Sequence, residues 1–231
     1  MIDHDWDAPD SEQLATARAK ALEILRDPDT PRKVTAFYDP TRNYAGATFH
    51  MLPPTDRDQL SSSDLLSVTL MNVAVQPAAV RRLLDPGKER DAVAAALERV
   101  PADVSLADAD ELAMNAAAGF YQTVKASLRG NKWVTASKIA ARKRPALIPV
   151  RDRVVVAELE LPNKDFQGDW TLLRGLVRDA AVQDASRELA AEATSMAPSL
   201  SDLPLLRLLD TAVWMHSREV PELASEDESS E

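Results

Sequence analysis

The sequence predicts a mainly α-helical fold. Apolar residues recur at helical spacing in segments such as "EQLATARAKALEIL" and "KWVTASKIAARK". Asp10 stands before the first as a capping residue, and "DPDTPRK" and Pro145 end the two segments. One region, "KVTAFYDPTRNYAGATFHML", instead alternates β-branched, aromatic and small residues around the turn "DPTRN". This alternation predicts a short N-terminal β-hairpin or an irregular lobe.

The composition limits the classes of protein and site to consider. With 231 residues, 45% apolar and 28% charged, the chain is long enough for one substantial core. It has no apolar run near twenty residues and no basic-then-apolar N-terminus, so we expect no membrane span, no signal peptide and a cytoplasmic location. The absence of Cys excludes disulfides, thiolate zinc sites and iron–sulfur clusters. His4, His50 and His216 are not at metal-ligand spacing, so we predict no metal site.

The net charge of −10 is concentrated at the two ends of the chain. Such a charge argues against indiscriminate binding to DNA or membranes. Residues 1–10 and 219–231 are predicted to be acidic disordered tails, flanking a single helical domain over 11–218.

The first half of the domain reads as short helices. Asp10 is predicted to cap a helix through "EQLATARAKALEIL", with Gln13 three residues later completing a capping box. Asp64 is predicted to cap "LLSVTLMNVAV", whose apolar character all round indicates a buried central helix. Two short amphipathic helices follow, "PAAVRRLL" and "ERDAVAAALERV".

A helical hairpin is predicted over residues 112–144. Ser105 and Asp108 indicate the start of a long helix through "LADADELAMNAAAGFYQTVKASL". Gly130 stands where a left-handed residue would end it. A second helix, "KWVTASKIAARK", follows at once and is ended by Pro145.

The C-terminal part predicts two helices and one ambiguous segment. Asp169 is expected to cap a helix from Trp170 to about Met196, and "DLPLLRLLDTAVWMHSRE" forms the last one. In "RVVVAELEL", three valines favour a strand, whereas the failed alternation favours a helix capped by Asp152. Both alternatives stay open at this stage.

Positive charge gathers around the predicted hairpin. Residues 122–151 contain eight Lys or Arg and no acid. The N-terminus of the second helix would present free N–H groups beside Arg129 and Lys132, which together predict a phosphate site. Alternatively, Gly130 only ends a helix and the charges only solvate a surface.

The hairpin and the segment after it resemble a known superfamily. The helix-hairpin-helix DNA glycosylases carry the pattern L-P-G-V-G-x-K-T-A, with a catalytic aspartate about sixteen residues further on. Here Leu128, Gly130, Thr135 and Ala136 match, and Asp152 stands sixteen residues after Ala136. The segment "DLLSVTLMNVAVQ" is also similar to the buried helix that opens the glycosylase core. The resemblance covers residues 64–160 and implies a glycosylase-like helical bundle.

The resemblance implies a monofunctional DNA N-glycosylase acting on a flipped base. Asp152 would be the catalytic carboxylate that stabilises positive charge developing on the sugar. Val134 replaces the lysine of bifunctional members, so no lyase chemistry is expected. The DNA-backbone contacts would come from Arg129, Gly130, Asn131, Lys132, Thr135 and Lys138. The base pocket or wedge would come from Trp133, Tyr44 and Trp214.

The partner implied is double-stranded DNA, bound through a basic stripe over residues 125–153. A K⁺ or Na⁺ ion held by main-chain carbonyls of the hairpin is implied by the resemblance, and no other cofactor is. The phrase "KRPALIPVRD" is also similar to one in an uncharacterised bacterial family.

Two alternatives remain beside catalysis. The chain could be a non-catalytic helix-hairpin-helix module that binds DNA or protein. It could also be an interaction domain whose basic stripe grips an acidic partner, in which case duplex DNA would not be preferred over other polyanions.

Overall fold

A computed structural model describes residues 5–53, 56–130, 132–162 and 165–220. These residues form twelve α-helices and one 3₁₀ helix, Pro198–Leu200, and contain no β-strand, which confirms the mainly α prediction. The α-helices are α1 Ser11–Leu25, α2 Thr30–Tyr38, α3 Gly46–Met51, α4 Ser62–Thr69, α5 Pro77–Leu84, α6 Lys88–Glu98, α7 Glu111–Leu128, α8 Trp133–Lys143, α9 Arg153–Glu158, α10 Phe166–Arg178, α11 Ala180–Met196 and α12 Leu205–Met215.

The predicted N-terminal β-hairpin is wrong, because this region forms α2 and α3. Pro31 stands in the first turn of α2, where its fixed φ favours a helix. Val34, Phe37 and Tyr38 are all buried. Their spacing of three and four residues places them on one helical face, so the helical period prevailed over the local β propensity.

Two helices begin at residues other than those predicted. Ser61 caps α4, and Asp64 occupies the third position of a reciprocal capping box. Asp110 caps α7 by accepting a hydrogen bond from the Ala113 amide, so the long helix starts after the predicted Ser105. Ser105 instead forms a separate turn, in which its hydroxyl donates to the carboxylate of Asp108.

The helix expected from Trp170 to Met196 is two helices. Asp165 caps α10, so the predicted cap Asp169 lies inside that helix and is fully buried. Asp179 separates α10 from α11 with an extended backbone, and its carboxylate accepts a hydrogen bond from the Val182 amide. An aspartate thus ends one helix and caps the next without a glycine or proline, the residues that usually mark such a break.

The helices pack as two groups. Helices α4 to α8 contact one another in the first group, with α7 and α8 forming the hairpin. In the second group α1 packs on α10, α11 and α12, α2 packs on α11 and α12, and α9 packs on α12. Helix α3 contacts both α2 and α4 and so joins the groups. Within the described residues, no helix is long and apolar enough to cross a membrane.

Residues 5–10 were predicted to belong to a disordered tail, but they pack on the body. Trp6 is 2% exposed, and its indole N–H donates to Asn115 Oδ1 at 2.9 Å. Asp7 accepts a hydrogen bond from Arg174 at 2.7 Å. The acidic composition concealed one aromatic residue that anchors the segment. Residues 1–4 and 221–231 of the predicted tails lie outside the described residues.

Candidate active site

The turn between α7 and α8 has an unusual backbone. Arg129 ends α7 with a φ of 59°, and Gly130 follows with a φ of 67°. The first value is uncommon for a residue with a side chain and costs conformational energy. No described side chain caps the N-terminus of α8 after Lys132. Asn131, a predicted phosphate contact, lies outside the described residues.

Most of the basic stripe is buried rather than displayed. Of the eight Lys and Arg side chains in residues 122–151, five are buried. Arg142 Nε and Lys143 Nζ lie 2.7 Å and 3.0 Å from the two oxygens of Asp64. Arg144 donates to the Val100 carbonyl at 2.9 Å, and Arg151 pairs with buried Asp169. The excess of positive charge around the hairpin is therefore largely an internal feature of the fold.

The positive charge left at the surface is small. Arg129 and Arg153 are exposed, and Lys125 and Lys132 are half-buried. Thr135 and Lys138, which the resemblance assigns to the DNA backbone, are 4% and 5% exposed. Their side chains point into the fold, so they do not lie on the hairpin surface.

The ambiguous segment after the hairpin is the helix α9, and Asp152 is its cap. Asp152 Oδ1 accepts hydrogen bonds from the amides of Val154 at 2.9 Å and Val155 at 3.0 Å. Its other oxygen, Oδ2, lies 3.7 Å from Lys138 Nζ, which donates to the Met71 carbonyl at 3.0 Å. Burial lowers the pKa of Lys138, and the neighbouring Asp152 opposes that shift.

Asp152 faces a small cavity where the two groups of helices meet. The cavity has a volume of about 30 Å³ and is lined by aromatic rings and by four ionisable groups besides Tyr38. Its polar lining consists of Tyr38, His50, Asp152, Arg207, Asp210 and Thr211. Its apolar lining consists of Phe37, Phe49, Met71, Val150, Val155 and Trp214. Buried ionisable side chains gathered around one cavity are typical of acid–base sites.

Burial shifts the pKa of three of these groups towards the neutral form. The pKa of His50 falls to about 3, because burial and the nearby Arg207 and Arg142 oppose its protonation. The pKa of Asp210 rises to about 6, mainly through burial, although Arg207 acts in the opposite direction. The pKa of Tyr38 rises to about 12, also through burial. His50 is therefore a neutral imidazole at physiological pH.

A larger cleft adjoins the cavity through Tyr38 and His50, which line both. The cleft has a volume of about 440 Å³, within the usual range of small-molecule sites. The ion-paired Asp64, Arg142 and Lys143 contribute to its lining, as do residues of the 199–204 segment. The rings of Tyr38 and His50 are nearly parallel, with an interplanar angle of 29°.

The three aromatic residues predicted to form a pocket or wedge lie in different places. Trp133 is half-buried at the start of α8, and the Arg151 guanidinium lies 4.3 Å from its ring centroid. Tyr44 packs against Phe37 with a centroid distance of 6.0 Å. Of the three, Trp214 alone lines the cavity of Asp152.

The sequence reasoning missed His50, Arg207 and Asp210 as members of the site. A signal was present for the last two, because "LPLLRLLDTAVW" places one Arg and one Asp inside an otherwise apolar helical run. Charged residues are almost never fully buried unless they are paired, so such a pattern points to a buried ion pair. Among the described residues, no three His, Asp or Glu side chains cluster as metal ligands.

Residues 31–217 match a family of unknown function, DUF6308. The chain belongs to this family. No curated protein and no solved structure matches it. The matched range contains the hairpin, Asp152 and every residue that lines the cavity, so the site lies wholly within the part of the chain that defines DUF6308.

Proposed function

We propose that this DUF6308 protein binds DNA and hydrolyses an N-glycosidic bond, as a monofunctional DNA glycosylase would. The observation that carries the proposal is the position of Asp152. Its carboxylate caps the helix directly after a helical hairpin and faces a small cavity lined by other ionisable groups. Cleavage of an N-glycosidic bond develops positive charge on the sugar, which a fixed carboxylate stabilises.

The adjoining cleft supports the proposal because a glycosylase must accept a base taken out of the duplex. Its volume of about 440 Å³ exceeds the needs of a single nucleobase, and its lining is mainly apolar. Tyr38 and His50 form the boundary between this cleft and the cavity of Asp152. A base in the cleft would therefore stack near these rings, with its sugar directed towards the carboxylate.

DNA would be held at the hairpin turn. Arg129 and Lys132 are accessible there, next to the uncapped first amides of α8. Free amides at a helix N-terminus favour a phosphate, and the two cations strengthen that preference. Of the basic stripe predicted over 125–153, only the exposed side chains would contact DNA in this proposal.

The proposed reaction ends at the abasic site. Val134 stands where the resemblance places the Schiff-base lysine of bifunctional enzymes. Lys138, the nearest lysine to Asp152 among those described, is buried and already donates to a backbone carbonyl. At 5% exposed and engaged by the Met71 carbonyl and Asp152, its amine is not placed to reach the sugar.

A second candidate, a non-catalytic helix-hairpin-helix binding module, is favoured by two observations. Asp152 is only 5% exposed, and both of its oxygens are engaged by structural partners. The resemblance places proline at the position of Arg129, where the ring would fix φ near −65°. The φ of 59° at Arg129 is therefore a departure from that hairpin geometry.

The experiment that separates the two candidates is an assay of base release. Duplex oligonucleotides carrying a panel of damaged and modified bases are incubated with wild type, Asp152→Asn and, as a matched control, Asp184→Asn at an exposed position. Alkali then converts abasic sites into strand breaks. Breaks with wild type and Asp184→Asn, absent with Asp152→Asn, support the glycosylase. No release on any duplex, with DNA binding retained in Asp152→Asn, supports the binding module.

A further inference from the structure

The cavity of Asp152 contains a second buried carboxylate, that of Asp210. Arg207 Nη2 lies 2.6 Å from Asp210 Oδ2, and the two residues are 2% and 6% exposed. Asp210 Oδ2 also accepts a hydrogen bond from the Val150 amide at 3.0 Å. The pair thus joins α12 to the extended segment that leads to Asp152.

Three polar atoms of this pair have no hydrogen-bond partner among the described residues. They are Arg207 Nε, Arg207 Nη1 and Asp210 Oδ1. A buried polar atom without a partner is costly, and in proteins such atoms usually bind an ordered water or a ligand. Two of them are donors and one is an acceptor, which is the combination that binds a water molecule.

The size of the cavity fits the same ligand. A water molecule needs about 10–15 Å³ of such space, and the cavity has about 30 Å³. It therefore accommodates one or two water molecules beside Arg207, Asp210 and Asp152. A base has room in the neighbouring cleft, from which its sugar would reach the mouth of the cavity beside Tyr38 and His50.

We propose that Asp210 is the general base of this site and that Arg207 and Asp210 hold the attacking water next to Asp152. The inference rests on the proposed glycosidic hydrolysis. It assigns different roles to the two carboxylates. Asp152, held by two amides and close to Lys138, stabilises the positive charge on the sugar. Asp210, whose Oδ1 is unpaired, accepts the proton of the water.

The proposed step balances as a hydrolysis. The water oxygen forms a bond to C1′ of the sugar while the bond between C1′ and the base nitrogen breaks. The bonding electron pair leaves with the base, and one proton of the water passes to Asp210 Oδ1. That proton is then released to the departing base or to solvent, so the products are the free base and an abasic sugar.

The role requires Asp210 to be ionised, so it predicts a dependence of activity on pH. The charged and titratable groups that face Asp210 are Arg207 on its own helix, Asp152 at the start of α9, His50 on α3 and Tyr38 on α2. Lys138 on α8 lies behind them, against Asp152. Because the pKa of Asp210 is raised to about 6, the proton acceptor is lost as pH falls below that value. Base release should therefore rise with pH through about 6.

The test measures base release by wild type, Asp210→Asn, Asp210→Glu and Asp210→Ala across pH 5 to 8. We expect Asp210→Asn to lose at least 100-fold in rate, a typical contribution of a general base. Asp210→Glu should keep a rise with pH. Sodium formate, small enough for the vacated carboxylate position, should restore at least tenfold to Asp210→Ala and nothing to Asp152→Asn. Thermal unfolding and duplex binding of each variant check that it is folded.

Each other result contradicts a specific statement. Release by Asp210→Asn at the wild-type rate would overturn the role of Asp210 and leave that of Asp152 standing. A folded Asp210→Ala that is inactive and unaffected by formate, with a pH-independent wild type, would make Asp210 a structural residue. Absence of release by wild type on every duplex would overturn the proposed function itself, and the role of Asp210 with it.

Discussion

Arg142 Nε lies 2.7 Å from Asp64 Oδ1, although the two residues are 78 positions apart in the chain. Lys143 Nζ binds the other oxygen of Asp64 at 3.0 Å, so one buried carboxylate neutralises two buried cations in part. Backbone carbonyls of Phe49 and Leu52 accept further hydrogen bonds from Arg142. This cluster holds α8 against α4 and forms part of the cleft wall.

Asp64→Asn should therefore destabilise the fold strongly. Removing one partner of a buried ion pair leaves uncompensated charge and costs about 3–5 kcal/mol. The matched control is Asp58→Asn, whose carboxylate is 78% exposed and lies 3.4 Å from Arg144. We expect the control to lose less than about 1 kcal/mol. Urea unfolding measures both, and similar losses in the two variants would contradict a structural role for the cluster.

This cluster also shows why the sequence misled about surface charge. A run of Lys and Arg without acids usually indicates a solvated basic surface. The acids that neutralise it here, such as Asp64 and Asp169, lie far away in sequence. Pairing at that separation is decided by tertiary packing, so no local pattern reveals it. The starts of helices were easier to predict from the sequence, because caps such as Asp10 and Asp152 bind amides within three residues of themselves.

Asp210 should make stability depend on pH. Its pKa rises from 3.8 to about 6 on folding, so the folded chain binds more protons than the unfolded chain between these values. Stability contributed by this group therefore falls as pH rises from about 4 to about 6. A shift of that size corresponds to about 3 kcal/mol.

The check compares unfolding free energies of wild type and Asp210→Asn at pH 4 and pH 7. Asparagine keeps an acceptor for the Val150 amide and cannot titrate. From pH 4 to pH 7, the free energy of unfolding of wild type should fall by about 3 kcal/mol relative to that of Asp210→Asn. A difference independent of pH would show that Asp210 is not the buried acid described above.

Trp6 should anchor the N-terminal segment that the charge pattern assigned to a tail. It is buried against the body, with its ring centroid 6.4 Å from that of Trp170. Trp6→Ala should cost about 3–5 kcal/mol, as truncation of a buried aromatic residue does. Glu23→Ala, at a side chain 64% exposed, is the control and should change stability by less than about 0.5 kcal/mol. A disordered segment 5–10 would make the two variants equally stable.

Only part of the candidate site was predictable from the sequence, and the reason is physical. Asp152 was predicted as a candidate because its distance from the hairpin is fixed along the chain. His50 and Asp210 were missed because they reach the cavity from α3 and α12, which only the tertiary packing brings to Asp152. The inward orientation of Lys138 follows from the position of the Met71 carbonyl, which is likewise set by packing.

DNA binding should depend on Lys132 at the hairpin turn. Each phosphate contact that is lost lowers the slope of log K against log salt concentration by about 0.9 for duplex DNA. Lys132→Ala should therefore weaken binding and reduce the slope by about one unit. Lys20→Ala, which removes a comparably accessible charge on α1, should leave both unchanged. Equal effects of the two variants would indicate attraction by overall charge, with no site at the hairpin.

Arg129 should lower the stability of the fold while contributing to DNA binding. Its φ of 59° is strained for a residue with a side chain and unstrained for glycine, so Arg129→Gly should raise the free energy of unfolding by up to about 1 kcal/mol. Gly130→Ala is the matched control with the opposite expected effect. The φ of Gly130 is 67° and nothing crowds the added methyl group, so backbone strain alone should lower the free energy of unfolding by about 1 kcal/mol. Because Arg129 is proposed to bind phosphate, Arg129→Gly should bind duplex DNA more weakly than wild type although it is more stable. A variant that gains stability and keeps its affinity would show that the strained backbone does not serve DNA binding through this side chain.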